Sequence, residues 1–508
     1  MKAAGRIPLI LVAGTALLLL AVQFDLAPVL GDEGVLAMDA LRISRGEVPQ
    51  RDFFQFIPPM AALVQALFFK LFSPSVFSLR LVGLIYGVVI FALSCILFRK
   101  FMKTELFLAL SLSLVVPFGV GGWLFGSHHW LCAILQLGAA ILVLEGLEKG
   151  SRAIMAAAGV LSGLAAFTLQ DQGAYFVLGL FVASLFLPVE ERKLTLIAAG
   201  SAVLAFAAAA LPFAILASPG KLFSDWVAFP LLNYKEAGGN QFTAANIMEK
   251  FSAQWNLGII RRAPVYSLGS AVSSSLLYFA PVLSIVSLIL LWLKKEMPRT
   301  RLMVLTVMTA AFLLGACHRL ALTNLSWAFP VLLPFYISLE EFSEVGQKWR
   351  RALSLVAASL LLASALGFSI ARINLCLKSE RLHRVSSLAG SYRTFNPYEA
   401  ESFQKICDEI NLRVPLGAPV FCVGYSPLVN FMTLRDNPTA YNFMIPGGYY
   451  SKEQVGEWLA SIEKTGAEWG LVEKSQVATE SAGKLLPWFD IVYENDRFIL
   501  LMRSRKGK

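Results

Sequence analysis

The sequence predicts an all-α polytopic membrane protein with a small C-terminal α/β extramembrane domain. Three observations carry this. Of 508 residues, 56% are hydrophobic and only 15% charged, against about 25% charged in an ordinary soluble domain. Apolar runs of the length that crosses a bilayer, roughly 20 residues of helix, recur from residue 7 to residue 371. Beyond residue 371 the composition becomes ordinary, and strand patterns alternate with helix patterns. So few charges could not cover a soluble protein of this size, and the apolar content excludes a disordered chain.

About eleven transmembrane helices are expected, at 7–24, 76–98, 105–121, 129–147, 153–168, 174–188, 194–217, 267–292, 302–316, 326–339 and 352–371. The first run begins basic, with Lys2 and Arg6, but is longer than a signal-peptide core, and Pro28 and Asp32-Glu33 follow it. It is read as an uncleaved span. Lys and Arg concentrate in one alternating set of loops, around Arg99-Lys100, Lys149-Arg152, Arg192-Lys193, Lys294-Arg301 and Lys348-Arg351. That set is assigned to the cytoplasm. The N-terminus is then cytoplasmic and the tail outside, in the periplasm of a bacterial inner membrane. The net charge of +10 is thus largely a topology signal, and no nucleic-acid partner is expected.

Two domains follow: 1–371 in the membrane and 372–508 outside it. In the tail, 397–413 and 451–466 read as helices. Ala418–Tyr425 reads as a buried strand ending in a glycine turn, Trp469–Glu473 as a strand, and 491–503 as a hairpin. No catalytic constellation is visible there, so the tail reads as a docking or acceptor-positioning domain. Among six cysteines, Cys376, Cys407 and Cys422 lie in the tail, where one pair could bridge. No metal-type Cys spacing occurs.

The extra sequence lies on the outer side, where loops on a rigid scaffold carry function. The first outer loop, 25–75, places Asp32 and Glu33 directly after span one. An amphipathic helix to about Arg45 follows, ended by Gly46. Pro49, Arg51-Asp52, Gln55 and Pro58-Pro59 come next, the last pair opening a second helix. One reading of Asp32 is a plain N-cap. A compatible reading is a carboxylate kept ionised by the helix dipole, suited to act as a base or metal ligand.

This order of features resembles the GT-C class of integral-membrane glycosyltransferases (family 39-like), which includes the aminoarabinose–lipid A transferases and the protein O-mannosyltransferases. The matching stretch is Asp32-Glu33, the helix, Gly46-x-x-Pro49-x-Arg51-Asp52, Pro58-Pro59 and Ser78-Leu79-Arg80-Leu81. The resemblance is strongest over residues 1–100. It implies that residues 1–371 form a GT-C-like catalytic domain. It also implies an inverting transfer of sugar from a polyprenyl-phosphate donor to a glycan, lipid or protein acceptor, with Asp32 as general base and Glu33 beside it. A sugar hydroxyl attacks poorly unless a positioned base takes its proton. The leaving phosphate needs cations or a metal. Aminoarabinose transferases carry Glu-Lys before the proline pair. Phe56-Ile57 stand here, so a different sugar or acceptor is expected, with Asp52 or Gln55 as substitute contacts.

Further candidates lie at outer span ends. His128 and His129 could bind a metal or the donor phosphate, or sit in an aromatic belt beside Trp123 and Trp130. With Asp32 they are the candidate ligands for a divalent metal ion, the one cofactor considered. His318 and Arg319 follow span nine, and Arg319 resembles the family's phosphate-holding position; a snorkelling arginine is the plainer reading. Arg261 and Arg262 are alternative phosphate binders. Asp171, in the turn Gln170-Asp171-Gln172, could touch sugar or metal or merely shape the turn. Loop 218–266, rich in aromatics and glycine, reads as a flap over substrate. The competing functional reading is a transporter or flippase of lipid-linked or small solutes; a polymer ligase or an envelope scaffold is a third. Transporters usually carry ionisable residues at mid-membrane, and these spans are almost free of them.

Overall fold

The computed structural model describes residues 7–26, 31–120, 126–233, 248–249, 264–317, 322–344, 347–445 and 450–504. Every apolar run expected to span falls on a helix. These are α1 (Ile7–Gln23), α4 (Val76–Arg99), α5 (Glu105–Ser113, continued by a π-helical turn Val115–Val120), α6 (His128–Lys149), α7 (Arg152–Ala166), α8 (Gln170–Ser184) and α9 (Val189–Ala217). The series continues with α12 (Pro264–Lys294), α13 (Arg299–Cys317), a broken segment made of α14 (Leu322–Trp327), a 3-10 turn and α15 (Leu333–Glu344), and α16 (Lys348–Leu377). Among the described residues, six helices are long and apolar enough to cross a membrane. Their outer surfaces stay apolar and exposed, as at Leu204, Ile215 and Leu293, which suits a lipid solvent.

Helix ends follow local chemistry. Ser75, Thr104, Ser127 and Ser151 cap the helices that follow them by accepting a backbone N–H. Gly150, left-handed at φ +62°, closes α6. The basic loop set gathers on one face of the bundle. There Lys100 pairs with Glu145, Arg301 with Glu148, Lys103 with Glu344 and Lys294 with Glu341. Glu340 accepts the backbone amides of Lys103 and Thr104 at 2.9 and 2.7 Å.

The opposite face carries the first outer loop and the tail. α2 (Asp32–Ser44) and α3 (Met60–Phe72) pack on each other. Short α10 (Pro219–Phe223) and α11 (Phe229–Leu232), joined by a π-helical turn, lie beside them. α16 runs on to Leu377, past the boundary expected at residue 371. The tail then forms the hairpin β1 (His383–Ser387) and β2 (Gly390–Thr394), α17 (Pro397–Arg413), β3 (Val420–Val423) and α18 (Pro427–Met432). α19 (Lys452–Lys464), β4 (Trp469–Glu473), α20 (Glu480–Leu485), β5 (Phe489–Glu494) and β6 (Phe498–Arg503) complete it. The main sheet has the order β3-β4-β6-β5, with β3 parallel to β4 and the other pairs antiparallel. The polar hairpin β1–β2 was not expected from sequence. Cys376, Cys407 and Cys422 are free and buried, so the bridge considered for the tail is absent.

The two domains share cores. Ala37, Met38, Leu41, Phe69 and Leu79 from the membrane half pack with Phe403, Leu428 and Phe431 from the tail. Phe229 packs with Phe421, Tyr441, Phe443 and Tyr450. α2 is therefore buried nearly all round, from Glu33 to Arg42, and departs from the amphipathic helix expected. The tail covers the face that would otherwise meet water.

Candidate active site

The site is built on the first turn of α2. Gly31 is the N-cap, with no side-chain cap, and its carbonyl accepts the amide of Val35 at 2.8 Å. Asp32 is the first helical residue, so it does not cap the helix as one reading expected. Its carboxylate still stands in the first turn, where the helix dipole favours negative charge, and it is exposed.

The two acidic neighbours face different surroundings. Glu33 is fully buried and pairs with Arg80 of α4 at 3.4 Å. Arg80 also donates to the Leu26 carbonyl at 2.6 Å. The pair fixes the junction between the end of α1, α2 and α4. Asp32 instead accepts a hydrogen bond from the hydroxyl of Tyr425, in the tail. His128, first residue of α6, lies within electrostatic reach of Asp32. The His128 and His129 rings lie 4.3 Å apart, and His129 stacks on Trp327 at 4.8 Å and 7°. An exposed carboxylate in contact with a phenol, and two neighbouring imidazoles within its electrostatic reach, thus lie at the tail-bearing end of the bundle.

The other expected residues are distributed around this cluster. Asp52 works within its own loop, accepting Val48 N–H at 2.7 Å and pairing with Arg51 at 2.7 Å; these bonds hold its carboxyl below the usual range. Gln55 offers its carbonyl to Gln50 at 2.8 Å, and its buried Oε1 has no hydrogen-bond partner among the described residues. Asp171 sits in the first turn of α8 and accepts the amide of Gln172 at 2.7 Å. Its neighbour Gln170 donates to the carbonyls of Phe56 and Trp226, at 3.0 and 3.1 Å. That ties the turn to the first outer loop and to the 218–233 segment. Arg261, Arg262, His318 and Arg319 lie outside the described residues, as does most of the expected flap beyond Asn233. No group of three or more metal-type side chains occurs among the described residues. Of the three considered ligands, His128 feels the charge of Asp32 and its ring lies beside that of His129.

Sequence reasoning missed three residues. Arg42 of α2 donates to Thr439 O at 2.8 Å and Asn442 Oδ1 at 3.1 Å in the tail, and pairs with Glu47 at 2.6 Å. Asp39, one turn earlier, accepts from Asn442. Burial pushes its carboxyl up to about 7, against the opposing pull of Arg42 and Asn442. Tyr425 is the third. Its only sequence signal was its place after a buried strand and a glycine.

No protein-family model and no curated protein matches the sequence. Solved structures do resemble the fold. The crystal structure of ArnT from Cupriavidus metallidurans bound to undecaprenyl phosphate superposes with a TM-score of 0.63 at 12% identity, covering 98% of both chains. The Archaeoglobus fulgidus oligosaccharyltransferase in complex with Zn and sulfate gives 0.55 at 13% identity, covering 98% of this chain and 73% of that one. The chain therefore has the GT-C fold: a polytopic helical bundle bearing a small α/β domain.

Proposed function

We propose that the protein is an inverting glycosyltransferase that takes a sugar from a polyprenyl-phosphate donor and passes it to a hydroxyl-bearing acceptor on the outer face of the membrane. The observation that carries the reading is Asp32. It is an exposed carboxylate in a helix first turn, in contact with the tail, in a fold that ArnT also has in its complex with undecaprenyl phosphate.

The chemistry balances as a single displacement. The acceptor O–H bond breaks as Asp32 takes the proton. The acceptor oxygen bonds the anomeric carbon from the face opposite the phosphate. The carbon–oxygen bond to phosphate breaks, and its electron pair leaves with the polyprenyl phosphate. A positioned base contributes about 10²–10⁴-fold to such a step. Glu33 is assigned a positioning part, locking the first turn of α2 to span two. His128 and His129 are assigned to the donor phosphate, with Arg319 its principal cation and Arg261-Arg262 secondary. The sidedness rests on the positive-inside distribution.

The test is transfer from radiolabelled polyprenyl-phosphate sugars in reconstituted membranes. Asp32→Asn transfers at least about a hundredfold more slowly than wild type. Arg319→Ala weakens donor binding more than Arg261→Ala. Solute uptake into proteoliposomes, with no transfer from any polyprenyl donor, would instead establish the transporter.

A further inference from the structure

We propose that Tyr425 of the tail is a positioning residue for Asp32, and that Glu473 holds it in place; the proposal rests on the reading of Asp32 as the base. The tail would then be a working part of the site.

The contact is specific in three ways. The Tyr425 hydroxyl donates to Asp32 Oδ1 across a sequence separation of 393 residues. Its ring lies so close over Gly31 that any Cβ there would collide with it. The ring also packs edge-on against Phe443 at 4.8 Å and 67°.

The loop that presents Tyr425 is itself gripped. It follows β3 through Gly424, at φ +110°, a conformation that suits glycine. Glu473, buried at the end of β4, accepts the Tyr425 amide at 2.9 Å through Oε2 and the Ser426 hydroxyl through Oε1. Arg497 donates to the same Oε1 at 3.1 Å. A Cβ on Gly424 would come within 2.6 Å of Glu473 Oε2. The glycine therefore makes room for the carboxylate. One buried acid thus clamps two consecutive residues of the turn that carries the phenol.

A carboxylate has about four lone-pair sites. A hydrogen bond at Oδ1 fixes the rotamer of Asp32 and leaves Oδ2 for the acceptor hydroxyl. The phenol stays the donor of this bond, so the acceptor's proton is collected at the other carboxylate oxygen. Fixing the base before substrate arrives lowers the reorganisation needed at reaction.

The experiment compares Tyr425→Phe, Glu473→Gln, their double variant and Asp32→Asn in the transfer assay, with thermal melts of each. Tyr425→Phe keeps the ring packing and loses only the hydroxyl. Its kcat is expected to fall about tenfold, the order of one hydrogen bond to a charged group, with donor KM and melting temperature unchanged. Glu473→Gln lowers kcat less, and the double variant is no worse than Tyr425→Phe alone, because both act through one contact. Wild-type kcat in Tyr425→Phe beside an inactive Asp32→Asn would overturn this proposal and leave the base assignment standing. So would a loss in Tyr425→Phe confined to KM or matched by a drop in melting temperature. Asp32→Asn transferring at the wild-type rate would overturn both.

Discussion

Both ends of the helical bundle carry exposed ion pairs, but among the described residues only the end that bears the tail also encloses both side chains of one, Glu33–Arg80. At the basic-loop end, pairs such as Arg301–Glu148 and Lys103–Glu344 are exposed, with side chains about half accessible. At the other end, Glu33–Arg80 and the Arg42–Asp39–Asn442 group are buried between membrane helices and tail. Exposed pairs contribute about 0–1 kcal/mol. Breaking a buried pair costs several times more, because one charge is left without a partner. The difference shows where geometry is being held: the tail-bearing end fixes individual side chains, and Asp32 lies within that end.

The largest structural effect should come from Arg80→Met. It leaves Glu33 buried against an apolar side chain, at a cost of about 3–5 kcal/mol, read as a deep drop in the melting temperature of the purified protein. Gly34→Ala comes next. A Cβ at Gly34 would meet the Leu428 backbone nitrogen at 2.6 Å. It should loosen tail docking by roughly 1–3 kcal/mol, seen as faster proteolysis of the tail. Asp39 sets a pH dependence. An acid whose folded pKa is raised binds protons more tightly when folded, so its stability is greatest below the ordinary carboxylate pKa and is lost as pH rises through about 7. Melting temperature should fall between pH 5 and pH 8 in wild type and fall less in Asp39→Asn. The smallest effect belongs to Arg301→Gln on the opposite face, expected within about 1 kcal/mol. A loss there as large as that in Arg80→Met would erase the contrast.

Much of the fold was legible because a bilayer imposes one strong signal. The apolar runs from 7 to 371 all fall on helices, and α17, α19, β4 and the β5–β6 hairpin fall where tail periodicity placed them. The β1–β2 hairpin was not legible. His383–Ser387 and Gly390–Thr394 are short and polar, and the hairpin docks through Arg393 on Asp25, far away in sequence. The surroundings of α2 were legible only where one residue's position in the chain suffices, as for the start of a helix at Asp32-Glu33 directly after the first apolar run. They were illegible where the information lies in a long-range contact. Tyr425 meets Asp32, and Arg42 meets Asn442, only because the tail folds over α2. Local spacing cannot express that pairing, and it is also why α2 looked half-exposed in sequence and is buried in the structure.

The central claim is that Asp32 takes the acceptor proton. Its most direct test is single-turnover transfer from a radiolabelled polyprenyl-phosphate sugar by wild type and Asp32→Asn in the same lipid, with donor binding measured in parallel. Asp32→Asn is expected to bind donor as wild type does and to transfer at least about a hundredfold more slowly. Transfer by Asp32→Asn at the wild-type rate would contradict it.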